Sequence, residues 1–188
     1  SIGADGNWVG TPGPRLSSGG QGPVGVAVRY PTPGGLPDLV VTNGTSGTLA
    51  VLHGVGEGFF NDQPGHIQVL SLGNSLPQPL TLLGSSTTGV LVTSAGGLIT
   101  VNLNNLAGGA QAAFAPGATQ DVVAVASVNN GMLAAVEADG RAVALLQFNE
   151  QAGAFQEVAA LTPLSGTGLT GAPSELALLS DALGGFPE

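Results

Sequence analysis

An internal repeat is the feature that most restricts what this sequence can fold into. The segment from Pro23 reads PVGVAVRYPTPGGLPDLVVTNGTSGTLAVLHGVGEGFF, in which short apolar runs alternate with turns rich in Gly and Pro. The pattern returns from Pro79 as PLTLLGSSTTGVLVTSAGGLITVNLNN and from Asp121 as DVVAVASVNNGMLAAVEADGRAVALLQF. Each copy predicts three strands joined by turns, followed by a closing loop that contains Gly and an aromatic residue.

A fourth strand is expected after each closing loop. It falls at residues 66–72 in the first copy and 155–161 in the third, and residues 112–115 give a weaker signal in the second. A four-stranded unit that recurs about every 40 to 55 residues is typical of a β-propeller blade. We therefore predict an all-β protein, a β-propeller segment of four-stranded antiparallel blades with about three complete blades and a partial blade at each end.

The repeat also places the blade boundaries. Residues 1–21 are predicted to be the end of a preceding blade, and residues 173–188 the first strand of a further one. The three complete blades are predicted at 22–78, 79–119 and 120–172. Because both ends match the middle of a blade, we expect a segment of a longer chain or a piece that another chain completes. Asp139-Gly140 is a strong signal for a two-residue hairpin turn within the third blade.

Composition excludes several classes of partner and site. The 188 residues include 12 acidic side chains against three Arg and no Lys, so the formal net charge is -9. Nucleic acid is not an expected partner, because no basic stripe is present to neutralise phosphates. The absence of Cys excludes disulfides and thiolate metal sites. Apolar stretches such as residues 122–128 are too short to cross a bilayer, so no transmembrane segment is expected.

Part of the first copy resembles a known repeat family. The sequences PDLVVTNG at residues 37–44, GTLAVL at 47–52 and GVGEGF at 54–59 resemble the FG-GAP or VCBS type of propeller repeat. This resemblance implies an integrin-alpha-like propeller that is extracellular, at the cell surface or periplasmic. It further implies a role in adhesion or protein contacts and no catalysis by the repeats themselves.

The calcium loops of that family are degenerate in this chain. The resemblance implies an Asp-rich loop between the first two strands of a blade, where several oxygens converge on a hard cation. The corresponding loop at residues 30–38 carries only Asp38, and the one at 180–185 carries only Asp181. These two residues are the candidate metal ligands. One carboxylate makes a poor calcium site, and capping of a turn is the alternative role for each.

No catalytic pattern is visible, and no cofactor site is expected beyond the possible calcium. His53 and His66 are the only histidines, and neither lies in a recognisable ligand or triad motif. The sequence thus predicts that the chain is not an enzyme but a non-catalytic protein-interaction or scaffold module of a surface or envelope assembly. A solvent-facing module with only 8% charged residues suggests a surface covered by protein partners or by the rest of its own chain. The alternatives are a carbohydrate-binding or carbohydrate-active propeller and a calcium-stabilised adhesin, with the site in blades that are not present here.

Overall fold

The computed structural model describes residues 15–73, 80–83, 87–93, 96–114, 122–128, 131–137 and 143–161. These residues form antiparallel β-strands in three sheets, together with one short 3₁₀ helix, Leu106–Gly108. The strands are β1 Pro23–Arg29, β2 Asp38–Asn43, β3 Thr48–Gly56, β4 Phe59–Phe60, β5 Gln68–Ser71, β6 Thr81–Leu83, β7 Thr88–Val92, β8 Leu98–Asn102, β9 Ala110–Phe114, β10 Val122–Ser127, β11 Met132–Glu137, β12 Val143–Asn149 and β13 Ala154–Leu161.

The first sheet contains β1 to β5. Strands β1, β2 and β3 pair in sequence order, and the far side of β3 pairs with β5 and, near its end, with the two-residue strand β4. Gly54 on β3 is required by close packing, since a Cβ there would collide with the carbonyl oxygen of Pro37. The sheet is therefore a four-stranded blade with a small hairpin extension.

The second and third sheets repeat the plan. The second sheet has the order β6-β7-β8-β9 and the third the order β10-β11-β12-β13, so every neighbour in space is a neighbour in sequence. Such a meander forms because each connection is a short turn between apolar runs, which favours antiparallel pairing of consecutive strands.

The sheets stack face to face through apolar side chains. Between the first and second sheets, Val40, Leu49 and Val51 form one buried cluster with Leu91 and Val101. Between the second and third sheets, another cluster contains Val90, Val92, Leu98, Leu133, Leu146 and Phe155. The middle sheet is covered on both faces, and its central strands β7 and β8 are accordingly mostly apolar on both sides.

The predicted fold class is confirmed: the chain is all-β, with four-stranded antiparallel sheets stacked as propeller blades. The fourth strands expected at residues 66–72 and 155–161 appear as β5 and β13. In the second blade, the weaker signal at residues 112–115 corresponds to β9, which begins two residues earlier and ends at Phe114. The Asp139-Gly140 turn, most of the first partial blade and all of the last one lie outside the described residues, and the blade boundaries stay predictions.

Candidate functional site

A row of polar side chains crosses one end of the first sheet. Arg29 ends β1 and pairs in register with Asp38, which begins β2, and Asp38 pairs with His53 on β3. Paired residues in an antiparallel sheet project from the same face. Ala27 lies two residues before Arg29, and Val40 lies two residues after Asp38, so both project from the same face as the row. Both side chains pack against the second sheet. The polar row therefore lies on the side of the first sheet that faces the second.

Arg29 and Asp38 form a buried ion pair at the centre of this row. The Nε and Nη2 groups of Arg29 donate to Oδ2 of Asp38 at 3.1 and 2.9 Å. Their side chains are only 3% and 4% exposed. The third donor, Nη1, reaches Oδ1 of Asn104 at 2.8 Å in the loop after β8. Arg29 therefore links the first blade to the second as well as neutralising Asp38.

His53 is oriented by the same carboxylate. Its Nδ1 lies 3.0 Å from Oδ1 of Asp38, and its Nε2 lies 3.1 Å from the side-chain amide nitrogen of Gln68. A carboxylate accepts and does not donate, so Nδ1 carries the proton in this contact, and Nε2 then accepts from the amide of Gln68. The imidazole is 45% exposed. The ring is therefore held at both nitrogens, by the carboxylate of Asp38 and by the amide of Gln68.

A cleft lies next to this row, at the seam between the first and second blades. It measures about 620 Å³ and is lined by Gln68, Val69 and Leu70 of β5 and by residues 104–107 of the loop after β8. We call it the seam cleft. Gln68 and Asn104 belong both to its lining and to the hydrogen-bonded row, so the Arg29–Asp38–His53 network supports both walls of the cleft.

The structure describes one of the two residues predicted as metal ligands, Asp38. Asp38 lies under the side chains of Arg29 and His53, which occupy both of its carboxylate oxygens. A cation at Asp38 would have to displace the guanidinium group. Within the described ranges, no group of three or more His, Cys, Asp or Glu side chains is arranged to hold a metal ion. Asp181 lies outside the described residues, so its role as a ligand stays a prediction.

Sequence reasoning missed the connection between Arg29, Asp38 and His53. The two charged residues flank the Pro- and Gly-rich turn of the first hairpin, and a hairpin brings its strand ends together. A buried Arg opposite an Asp was thus a readable signal once β1 and β2 were paired. His53 joins them only through the register of the next strand pair, which the sequence does not fix.

The opposite face of the first sheet is the second feature of interest. We define the outer face as the side turned away from the second sheet; it carries Val26 and Val28 of β1, Leu39 and Val41 of β2, and Ala50 and Leu52 of β3. Phe60 and Ile67 cover its far end, so Ala50 and Leu52 are buried. Val26 and Val28 remain 66% and 51% exposed. A row of exposed valines on one strand is unusual for a surface that faces water only.

Comparison with known proteins supports the fold and no closer relationship. No protein-family model matches the sequence, and no curated protein is similar to it. The N-terminal domain of Nup159 superposes with a TM-score of 0.56 at 14% identity, over 85% of this chain and 37% of that one. Streptogramin B lyase gives 0.52 at 21% identity, over 86% and 47%. A catalytically inactive variant of virginiamycin B lyase from Staphylococcus aureus, solved with quinupristin, gives 0.51 at 19%, over 75% and 42%.

The prediction that the chain is not an enzyme is contradicted by these similarities. Two of the three structures are lyases, so the lack of a familiar motif in a propeller sequence does not exclude catalysis. The chain spans less than half the length of each of these proteins, and none of them is more than 21% identical to it. The FG-GAP or VCBS resemblance is not confirmed. Identity at this level shows the fold alone, and that fold is a β-propeller.

Proposed function

We propose that this chain is a protein-association module whose outer face packs against a propeller blade of a second protein chain. The observation that carries the proposal is the exposure of Val26 and Val28 on β1, at the edge of an otherwise buried apolar face. Covering two half-exposed valines stabilises a complex by about 1 kcal/mol each. This is a substantial part of the binding free energy of a weak protein complex.

The packing within the chain supports a blade as the occupant. The face of the second sheet that corresponds to the outer face carries Leu91 and Val101, and there the first sheet covers both completely. The first sheet is built on the same plan, so a similar blade fits the similar face. Propellers usually contain four to eight blades, and the three described sheets do not close a ring. The FG-GAP or VCBS resemblance of residues 37–59 supports an extracellular, cell-surface or periplasmic setting for this association.

Charge substitution on the outer face tests the proposal. Because the chain itself carries blades, we expect it to self-associate in light scattering coupled to size-exclusion chromatography, with a mass that rises with concentration. Val26→Glu places a charge in the proposed interface and is expected to shift the protein to the monomer. Val55→Glu is the matched control, because Val55 is 59% exposed and lies near the end of β3, outside the residues that define the outer face. A wild-type chain that stays monomeric at every concentration, or equal effects of both variants, would overturn the proposal.

A further inference from the structure

The geometry points to a peptide-binding groove at the seam cleft, where an extended basic segment of a partner protein adds a strand to the free edge of β5. This groove lies along the edge of β5, at the opposite side of the first sheet from the exposed valines of β1, and it stands on separate observations. Strand addition uses the backbone groups of an exposed sheet edge for affinity and nearby side chains for selectivity. Three features support this assignment: the outer edge of β5, the wall of the cleft formed by residues 104–107, and the net charge of the chain.

In the part of the chain that the structure describes, β5 is the last strand of its sheet and leaves one edge unpaired. Among the described residues it pairs only with β3. The N–H of Leu72 donates to the carbonyl of Gly47 at 2.8 Å, directly beyond the paired residues of β3 and β5. Hydrogen-bonded pairs alternate along an antiparallel ladder, so Gln68 and Leu70 bond to β3. The backbone N–H and C=O groups of Val69 and Ser71 therefore point away from the sheet.

The seam cleft lies against this outward-facing edge. Its lining includes β5 but no residue of β3, which places it on the free side of β5. Its other wall is the segment 104–107 of the second blade. Leu70 and Leu106 pack in the same apolar cluster, so both walls are anchored to one core and keep their spacing. The side-chain amides of Gln68, Asn104 and Asn105 line the cleft.

These groups match the chemistry of an extended peptide. A strand edge offers alternating donors and acceptors, and side-chain amides can pair with peptide backbone groups in both directions. The charge of the chain favours a basic peptide: 12 acidic residues oppose three Arg, and the Arg29–Asp38 pair removes one charge of each sign, so the formal net charge stays at -9. Nucleic acid would meet the opposite balance, with phosphates near a net charge of -9. The occupant that fits is thus a segment with alternating basic residues.

A capped octapeptide of alternating Val and Arg is the probe. We expect it to bind the wild-type chain in isothermal titration calorimetry. Val69→Pro removes the outward N–H of β5 and leaves the bonds to β3 intact, a position where an edge strand tolerates Pro. It is expected to weaken binding about tenfold, the equivalent of one backbone hydrogen bond. Val69→Ala keeps the N–H, so the difference between the two variants separates the loss of the hydrogen bond from the loss of the side chain. Asn105→Ala, at an exposed side chain, is expected to weaken binding severalfold.

Two versions of the peptide make the test independent of any effect of Pro on folding. Backbone N-methylation of every second residue removes the N–H groups on one side of the added strand, and methylation of the other set removes those on the other side. Against the wild-type protein, one pattern is expected to abolish binding and the other to leave it nearly unchanged. No measurable binding of the parent peptide overturns the inference. Equal binding of both methylated versions also overturns it, because the attraction would then depend on charge alone.

Discussion

Replacement of Asp38 by alanine is expected to be among the most destabilising single changes in the described part of this chain. The substitution removes the acceptor for two donors of Arg29 and leaves a guanidinium group that is 3% exposed without a counter-ion. Breaking a buried ion pair by removal of one partner costs about 3–5 kcal/mol. A domain is stable by about 5–15 kcal/mol in total, so the variant is expected to lose a large part of its stability.

Equilibrium unfolding in urea, monitored by circular dichroism, measures this effect. For a chain of this length the melting temperature is expected to fall by about 10 °C, at roughly 3 °C per kcal/mol. The loss of the contact between Asp38 and His53 contributes little to the loss of stability, since that imidazole is 45% exposed. His53→Ala is therefore the control that separates the two contacts of Asp38, and its expected cost is about 1 kcal/mol or less.

The double variant Arg29→Met with Asp38→Leu tests the physical reason. If the cost arises from an uncompensated buried charge, removal of both charges should restore most of the stability that Asp38→Ala loses. The reasoning is refuted if Asp38→Ala costs under about 1 kcal/mol. It is refuted equally if the double variant is no more stable than the single one, since the cost would then come from packing and not from charge.

Two further changes test the packing of the first sheet. The hydroxyl of Thr42 is fully buried and has no hydrogen-bond partner among the described residues. Thr42→Val should therefore raise the free energy of unfolding by about 1 kcal/mol. A destabilised variant would show that the hydroxyl is bonded. Gly54→Ala should lower the free energy of unfolding by about 2 kcal/mol, because the new Cβ meets the carbonyl of Pro37. Gly108→Ala should change the free energy of unfolding little, because a Cβ at Gly108 meets nothing within 4 Å. Equal thermal stability of the two alanine variants would contradict the close approach at Gly54.

The sequence predicts no transmembrane segment. Within the described ranges, no helix has the length and apolar character needed to span a bilayer. The protein partners, the setting outside the cytoplasm and the blade boundaries remain predictions from the sequence.

The architecture of the blades was readable because it depends on local patterns. Short apolar runs separated by Gly- and Pro-rich turns specify antiparallel strands whatever the rest of the chain does, and the repeat of that unit specifies stacked blades. The third blade shows this most directly: β11 and β12 pair antiparallel, as the Asp139-Gly140 signal between them predicts. The same reasoning placed the start of the fourth strand of the second blade two residues too late, because the run that forms β9 contains Gln111 among small residues and has little alternation.

The functional features were decided by tertiary structure. Arg29, Asp38 and His53 are separated along the chain and meet only because two strand registers place them in one row. The sequence shows that β1 is apolar on alternate residues but not whether a neighbouring blade covers Val26. Whether a face of a sheet belongs to the core or is a docking surface depends on which other sheet packs against that face. Local patterns therefore determined the strands and their repetition, whereas buried charge, the seam cleft and the exposed face follow from contacts between strands and sheets that no local pattern encodes.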